Sequence, residues 1–250
     1  METMKRIPEK YIDVLLTSPF YNTNKKAGQS KTLNNTKTHG YTYLRYDSHI
    51  DNMTDEQYND FTVEIFNLFN IILKQNGVVL YNLNYGNNNR EGMIKAVNAI
   101  ITTTPFTIAD IICWKKRTAL PNNCSANKLT RLWECVFVLC RKNEITTFHC
   151  NKKIKSYRKN GQASYENIFN YIEAKNNDGP CPYNKATFST ELCSQLLNIY
   201  APKGAIVYDP FMGSGTTAVA CKQMGIKYLG SEISENQCKW AEERIDKLDT

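Results

Sequence analysis

The feature that most constrains the fold is a β-α-β pattern between residues 205 and 232. A short apolar run predicts a buried strand, which leads into a turn that contains Gly213 and Gly215. Helical spacing follows over 216–224, and a second apolar run predicts another strand with Glu232 just beyond it. Glycines let a backbone approach a ligand closely and an acid accepts hydrogen bonds from ribose hydroxyls, so this unit is typical of nucleoside-cofactor sites.

A glycine turn of this kind has three interpretations. It is an ordinary tight turn, or it is a nicotinamide site, because Ala218 fits the last small position of the pattern G-x-G-x-x-G/A. Asp209 favours a third interpretation. A carboxylate at that place repels a pyrophosphate and suits a cationic ligand such as S-adenosylmethionine.

The rest of the chain predicts alternating strands and helices, and therefore the α/β class. Strands are expected over 11–16, 78–83, 107–114 and 133–140, and helices over 54–76, 92–101, a stretch with Leu192, Leu196 and Leu197, and 234–247.

A second motif, Ser18-Pro19-Phe20-Tyr21, follows the first predicted strand directly. Open α/β sheets bind their ligands at the carboxyl ends of strands. The exocyclic amino group of adenine or cytosine is a poor nucleophile, because its lone pair is delocalised into the ring. The Ser18 oxygen and the Pro19 carbonyl are suited to accept its two hydrogens, and Tyr21 offers a face for an extruded base. By itself, the motif is equally well a Ser-Pro turn.

The two motifs together resemble those of the amino-directed DNA methyltransferases. The string DPFMGSGTT at 209–217 resembles their motif I, and SPFY at 18–21 resembles their motif IV. Because motif IV precedes motif I, the chain resembles the circularly permuted beta group over nearly its whole length except the insertion. The resemblance implies a Rossmann-like methyltransferase fold that uses S-adenosylmethionine to methylate adenine N6 or cytosine N4 in double-stranded DNA.

The resemblance also assigns residues and boundaries. The catalytic residues that it implies are Ser18, Pro19, Phe20 and Tyr21. The cofactor-binding residues that it implies are Asp209, Pro210, Phe211, Gly213, Gly215, Thr216 and Glu232, with Thr187 and Phe188 from the stretch before motif I. It divides the chain into a catalytic domain, 1–140 and 183–250, and a small inserted target-recognition region, 141–182.

Three features depart from the family pattern. Phe20 stands where a second proline is usual, the stretch 184–189 lacks the family's His-Pro and final proline, and no Gly-Asp strand precedes the first predicted strand. The sequence therefore leaves open the geometry of the motif IV loop and the recognition of the cofactor's adenine ring.

Two polar segments are rich in Lys and Arg. Residues 141–160 hold seven cations with interleaved aromatic residues, and residues 22–50 form a second basic stretch on the SPFY side. Charge runs are usually solvated faces, but the first segment occupies the family's target-recognition position, and a DNA duplex clamped between the two is expected. The residues expected to contact DNA are Lys152, Lys153, Lys155, Arg158, Lys159, Lys25 and Lys26.

Composition sets the remaining bounds. The net charge of +7 is compatible with nucleic acid. Nine cysteines without a CxxC pair or a His/Cys cluster predict no zinc or other metal site and indicate a reducing compartment. No apolar run approaches the roughly 18 residues of a membrane helix, so an intracellular protein of bacterial, phage or viral type is expected, without membrane contact. The short insertion predicts a short recognition site or help from a second subunit in a homodimer. A restriction endonuclease partner is left open by the sequence.

Competing interpretations remain at this stage. The pair Pro180-Cys181 resembles the nucleophile of cytosine-C5 methyltransferases, but it lies in a polar loop and is interpreted as a turn. A nucleic-acid-binding relative that has lost catalysis would use the same basic segments. RNA and protein glutamine also present suitable amino groups, although the basic segments favour nucleic acid.

Overall fold

The computed structural model describes residues 1–22, 53–86, 89–119, 121, 126–184 and 187–248. The helices are α1 (Asp55–Ile72), α2 (Gly92–Thr103), α3 (Thr190–Tyr200), α4 (Thr216–Gln223) and α5 (Glu235–Asp246). The strands are β1 (Ile12–Thr17), β2 (Leu73–Leu83), β3 (Phe106–Lys116), β4 (Trp133–Arg141), β5 (Ile154–Tyr157), β6 (Ala163–Tyr165), β7 (Tyr171–Ala174), β8 (Ile206–Asp209) and β9 (Lys227–Gly230). The predicted α/β class is confirmed.

Seven strands form one sheet in the order β7-β3-β4-β2-β1-β8-β9. β4 is antiparallel to β2 and β3, and the other neighbouring pairs are parallel. The strands β1, β2, β8 and β9 therefore end at one edge of the sheet, which we call the carboxyl edge, and β4 begins there. In this order β7 and β9 are the two outermost strands of the sheet.

Helices cover both faces of the sheet and produce two apolar layers. On the side of α1 and α2, Phe66 and Phe69 pack with Phe106 in one layer. On the side of α3 and α4, Leu196 packs with Trp114 in the other. β1 is buried on both faces, as expected for a central parallel strand.

The junction between α1 and β2 lies earlier than predicted, because the helix ends at Ile72 and the strand begins at once rather than at residue 78. The Arg141 guanidinium explains this. It donates hydrogen bonds to the backbone carbonyls of Asn70, Leu73 and Lys74, which closes the helix end. Arg141 was counted among the seven basic residues of the predicted DNA-contacting segment, but here its role is structural.

The segment 141–182 is tied to the sheet at both ends. β5 and β6 form a separate two-stranded hairpin, and β7 joins the main sheet beside β3. Before the hairpin, Asn151 donates to the carbonyls of Asn198 and Ala201 at the end of α3, and after it Asn170 donates to the carbonyl of Ile111. Since α3 leads directly into the start of β8, the Asn151 anchor lies opposite the carboxyl edge. The boundary of a recognition region at 141–182 stays a prediction.

Candidate active site

A cavity of about 430 Å³ opens at the carboxyl edge, and its volume is typical of small-molecule sites. It is lined from the SPFY side by Ser18 and Phe20 and from the glycine-turn side by Pro210, Phe211, Gly213 and Glu232. Asn184, from the stretch 184–189 before motif I, also lines the cavity. Other lining residues, which the sequence did not indicate, include Met1, Glu2, Thr3, Met4, Phe61, Ile233 and Gln237. The two sequence motifs therefore share one cavity, although they lie at opposite ends of the chain.

Asp209 does not face this cavity. Its carboxylate is buried and accepts hydrogen bonds from Thr17 Oγ1 at 2.6 Å, Thr217 Oγ1 at 2.6 Å and the Phe211 backbone N–H at 3.0 Å. We call Asp209, Thr17 and Thr217 the closed network. Burial among neutral donors raises the pKa of Asp209 to about 6. This differs from the expectation that the carboxylate meets a cationic ligand, because its oxygens are used to join β1, β8 and α4.

The two turn glycines play different parts. Gly213 has φ +53° at the cavity wall, where a Cβ atom would lie 3.1 Å from Asn184 Nδ2. Gly215 has φ +80°, and a Cβ there would lie 2.6 Å from the Cβ of Ala241 in α5. The expected reason for Gly215, space for a ligand, is therefore corrected: its missing side chain allows α5 to pack against the turn.

Glu232 lies where the sequence placed it, just past β9 and at the cavity wall. Its carboxylate accepts hydrogen bonds from the backbone N–H groups of Gly213 at 2.8 Å, Ile233 at 2.9 Å and Ser234 at 2.9 Å. These bonds hold the acid in place and tie the ends of β8 and β9 together.

The remaining predicted cofactor residues lie behind the turn. Thr187 and Thr216 line a smaller cavity of about 200 Å³, together with Cys181 and Arg244. Arg244 Nη1 donates to the backbone carbonyl of Ser214, and so supports the turn from α5. Phe188 is buried in the apolar layer of α3 and α4. The larger cavity is not lined by any of these three predicted residues, Thr187, Thr216 and Phe188.

The SPFY turn has its proline and phenylalanine in the interior. Pro19 and Phe20 are buried, and the Phe20 ring packs against Tyr58, Phe61 and Phe211 at centroid distances of 5.3, 5.3 and 6.4 Å. The Tyr58 hydroxyl donates to the Phe20 carbonyl at 2.6 Å. The departure from the family's second proline is thus accommodated, because an aromatic cluster replaces it and fixes the turn.

Ser18 and Tyr21 belong to a partly buried polar cluster that the sequence did not predict. The hydroxyls of Ser18 and Tyr21 lie 3.0 Å apart, Tyr21 donates to Glu134 Oε2 at 3.0 Å, and Asn82 Nδ2 lies 2.7 Å from the Tyr21 oxygen. Lys116 forms a salt bridge with the other Glu134 oxygen. We call these five residues the open network, since Ser18 lines the cavity. The only sequence signal for Glu134 was an acid directly before an apolar strand.

The predicted DNA-contacting residues fall into two groups. The residues of the first group lie on and beside the β5–β6 hairpin and are exposed: Lys152, Lys153, Lys155, Arg158 and Lys159. Within the described residues, no salt bridge involves their side chains. Lys25 and Lys26 lie outside the described residues. The hairpin's Asn151 anchor lies opposite the carboxyl edge. The clamp between the hairpin and the stretch 22–50 stays a prediction, because that stretch lies almost wholly outside the described residues.

The described residues also bear on metal binding and on membrane insertion. No group of three or more His, Cys, Asp and Glu side chains is placed to hold a metal ion there. No helix among them has the length and apolar character needed to cross a membrane.

Comparison with known proteins agrees with the arrangement of the site. A family model described as DNA methylase matches residues 12–243. The chain is 25% identical over 256 residues to the Type II methyltransferase M.HinfI of Haemophilus influenzae, which covers 99% of this chain and 67% of that protein. Two further curated methyltransferases are 44% and 43% identical over short stretches, and the chain spans only 13% and 23% of their length.

Two solved structures share the fold. The PvuII DNA methyltransferase, described as cytosine-N4-specific, superposes with a TM-score of 0.69 at 16% identity, covering 96% of this chain and 82% of that one. The complex of M1.HpyAVI with S-adenosylmethionine gives a TM-score of 0.59 at 17% identity, covering 98% and 92%.

Proposed function

We propose, from the premise that this chain belongs to the DNA methylase family, that it transfers a methyl group from S-adenosylmethionine to an exocyclic amino group in DNA, adenine N6 or cytosine N4. The observation that carries the proposal is the shared cavity. It brings Ser18 of the SPFY turn together with Gly213 and Glu232 of the cofactor unit.

The cavity suits the cofactor in shape and chemistry. Phe61, Phe20 and Phe211 supply apolar walls for a ring system, and the Glu232 carboxylate offers acceptors for ribose hydroxyls. Gly213 leaves the wall without a side chain, so that a ligand can approach the backbone. When bound, S-adenosylmethionine supplies a methyl group attached to a positively charged sulfur.

Ser18 and the Pro19 carbonyl act on the target base. They accept the hydrogens of its amino group, which favours a pyramidal nitrogen whose lone pair is directed at the methyl carbon. The base must leave the duplex to reach the cavity, and the Tyr21 ring, half-buried beside Ser18, provides a stacking face. Positioning supplies most of the rate in such a transfer, and no covalent enzyme intermediate is required.

Double-stranded DNA is the proposed partner. The five exposed cations of the β5–β6 hairpin supply a surface for phosphates, and Lys25 and Lys26 are proposed to add to it. A homodimer would compensate for the small recognition region. A restriction endonuclease with the same specificity is the proposed protein partner. The proposed location of the protein is therefore inside the cell, where its DNA substrate lies.

The test is methyl transfer from isotopically labelled S-adenosylmethionine to unmethylated genomic DNA, followed by mass analysis of the nucleosides. Label in N6-methyldeoxyadenosine or in N4-methyldeoxycytidine supports the proposal and identifies the target base. DNA binding without label in any nucleoside supports the alternative, a binding protein that has lost catalysis. Label in C5-methylcytosine would overturn the amino mechanism.

A further inference from the structure

The open network determines the direction of its own hydrogen bonds. The Glu134 carboxylate only accepts, and Lys116, its salt-bridge partner at one oxygen, only donates. The Tyr21 hydroxyl lies 3.0 Å from the other oxygen, Oε2, and therefore directs its single proton there. The side chain of Glu134 is only 13% exposed, so water competes little for this bond.

The direction then passes to Ser18. Because the Tyr21 proton is committed to Glu134, the contact of 3.0 Å between the two hydroxyls requires Ser18 to donate and Tyr21 to accept. Asn82 Nδ2, a donor, lies 2.7 Å from the Tyr21 oxygen, 3.3 Å from the Ser18 oxygen and 3.3 Å from Glu134 Oε2, and all three oxygens can accept from it in this arrangement. The Ser18 hydroxyl proton is then used in the hydrogen bond to Tyr21, and the Ser18 oxygen presents only an acceptor to the cavity that it lines.

We propose that Glu134 is a positioning residue that makes Ser18 an obligatory hydrogen-bond acceptor and thereby selects a target base that carries an amino group. The inference rests on the proposed function and deepens it. A base with an oxo group at the same position would place two acceptors against each other inside a partly buried site, which is costly. Discrimination between amino and oxo bases is thus determined by Glu134, which itself does not touch the base.

The substitution Glu134→Gln reverses the direction of the hydrogen bonds in the open network, and it does not change the size of the side chain at position 134. Lys116 holds the Gln oxygen on its own side, because two donors would otherwise meet, and so the Gln amide N–H points to Tyr21. Tyr21 then accepts from residue 134 and donates to Ser18, and the Ser18 proton turns to the cavity. The variant is expected to favour an oxo base over an amino base.

The experiment uses two DNA duplexes. The first is a duplex that the parent protein has been shown to methylate, and the second is identical except that the target base is the oxo analogue, uracil for cytosine or hypoxanthine for adenine. Equilibrium binding to both is measured by fluorescence anisotropy, for the parent and for Glu134→Gln. The parent is expected to prefer the amino duplex by about ten-fold, and the variant to lose or invert this preference. Single-turnover methylation by the variant should fall about 100-fold, with unchanged affinity for S-adenosylmethionine by calorimetry.

Tyr21→Phe is the control, because it interrupts the same chain and keeps both the ring and the Glu134–Lys116 salt bridge. It should lose the amino preference as well, and combining it with Glu134→Gln should add nothing further. An amino preference that survives in Glu134→Gln or in Tyr21→Phe overturns the inference, as does a loss confined to cofactor affinity or melting temperature. If Glu134→Gln does not fold, Tyr21→Phe decides. A parent that methylates no DNA contradicts the proposed function instead.

Discussion

The closed and open networks begin at adjacent residues, but their carboxylates differ in burial and in hydrogen-bond partners. Thr17 and Ser18 follow each other at the end of β1, and Thr17 donates to the buried Asp209 while Ser18 meets Tyr21 at the cavity. Asp209 is 1% exposed and has only neutral donors, whereas Glu134 has a lysine partner and contact with solvent.

The difference shows how one strand end serves two purposes. A carboxylate surrounded by hydroxyl and amide donors joins three elements of the fold, and burial opposes its ionisation. A carboxylate that is paired with a lysine at one oxygen can orient a hydroxyl at the other oxygen and, through it, the donors and acceptors that face a ligand. We therefore expect substitutions in the closed network to affect stability first, and substitutions in the open network to affect rate first.

The largest effect is expected from Gly215→Val, behind the closed network. The new side chain would collide with Ala241 at a residue whose φ is already +80°, so unfolding free energy should fall by about 2–5 kcal/mol and S-adenosylmethionine binding should be lost in calorimetry. Gly225→Val is the matched control, because its φ is +66° with open space around it. Parent-like affinity in Gly215→Val would contradict the packing of α5 against the turn.

Asp209→Ala should follow, with a loss of about 3 kcal/mol in unfolding free energy measured by urea denaturation. The substitution leaves the Thr17 and Thr217 hydroxyls and the Phe211 N–H without their buried acceptor. Ser18→Ala, one residue from Thr17, should lose less than about 1 kcal/mol. Equal losses for the two variants would remove the distinction between the networks.

Ser18→Ala should instead lower the single-turnover methylation rate by about 100-fold, because the hydrogen bond to the amino group matters most in the transition state. Affinity for S-adenosylmethionine should not change, since Ser18 is proposed to contact the target base and not the cofactor. Quench-flow methylation and calorimetry measure the two quantities. A fully active Ser18→Ala protein would mean that the SPFY turn is not the catalytic motif.

The pH dependence of stability should separate the networks further. Burial raises the pKa of Asp209 from 3.8 to about 6 in the folded protein, so the folded state binds this proton more tightly than the unfolded chain. Its contribution to stability is fully present below about pH 4 and is lost as pH rises through about 6, by about 3 kcal/mol. In Asp209→Asn this decline should be missing from urea denaturation curves recorded between pH 4 and 7.5. An unchanged profile in the variant would assign the decline to other groups.

The smallest effect is expected for DNA binding by the β5–β6 hairpin, which is anchored at the end of α3, opposite the carboxyl edge where both networks lie. Changing Lys152, Lys153 and Lys155 together to alanine should flatten the salt dependence of DNA binding by about two to three units, with cofactor affinity unchanged. Lys203, Lys227 and Lys239, exposed elsewhere, provide a triple control. If the hairpin variant keeps the parent's salt slope, the hairpin is not the element that contacts the DNA phosphates.

The local features of this protein were predictable from its sequence. The β-α-β unit, the position of Glu232 after β9 and the place of the SPFY turn after β1 all follow from short-range patterns of apolar residues and glycines. Such patterns depend on neighbours within a few residues, and the strands and helices that they predicted are present in the predicted order.

Only the tertiary structure decided which side chains meet across the sheet. Thr17 reaches Asp209 because β1 and β8 are parallel neighbours, although 192 residues separate the two. Glu134 reaches Tyr21, 113 residues away, because β4 runs antiparallel beside β2 and so begins where β1 and β2 end. Strand order and direction are set by the packing of the whole sheet between its helices, and therefore no local pattern in the sequence indicated that Glu134 belongs to the site.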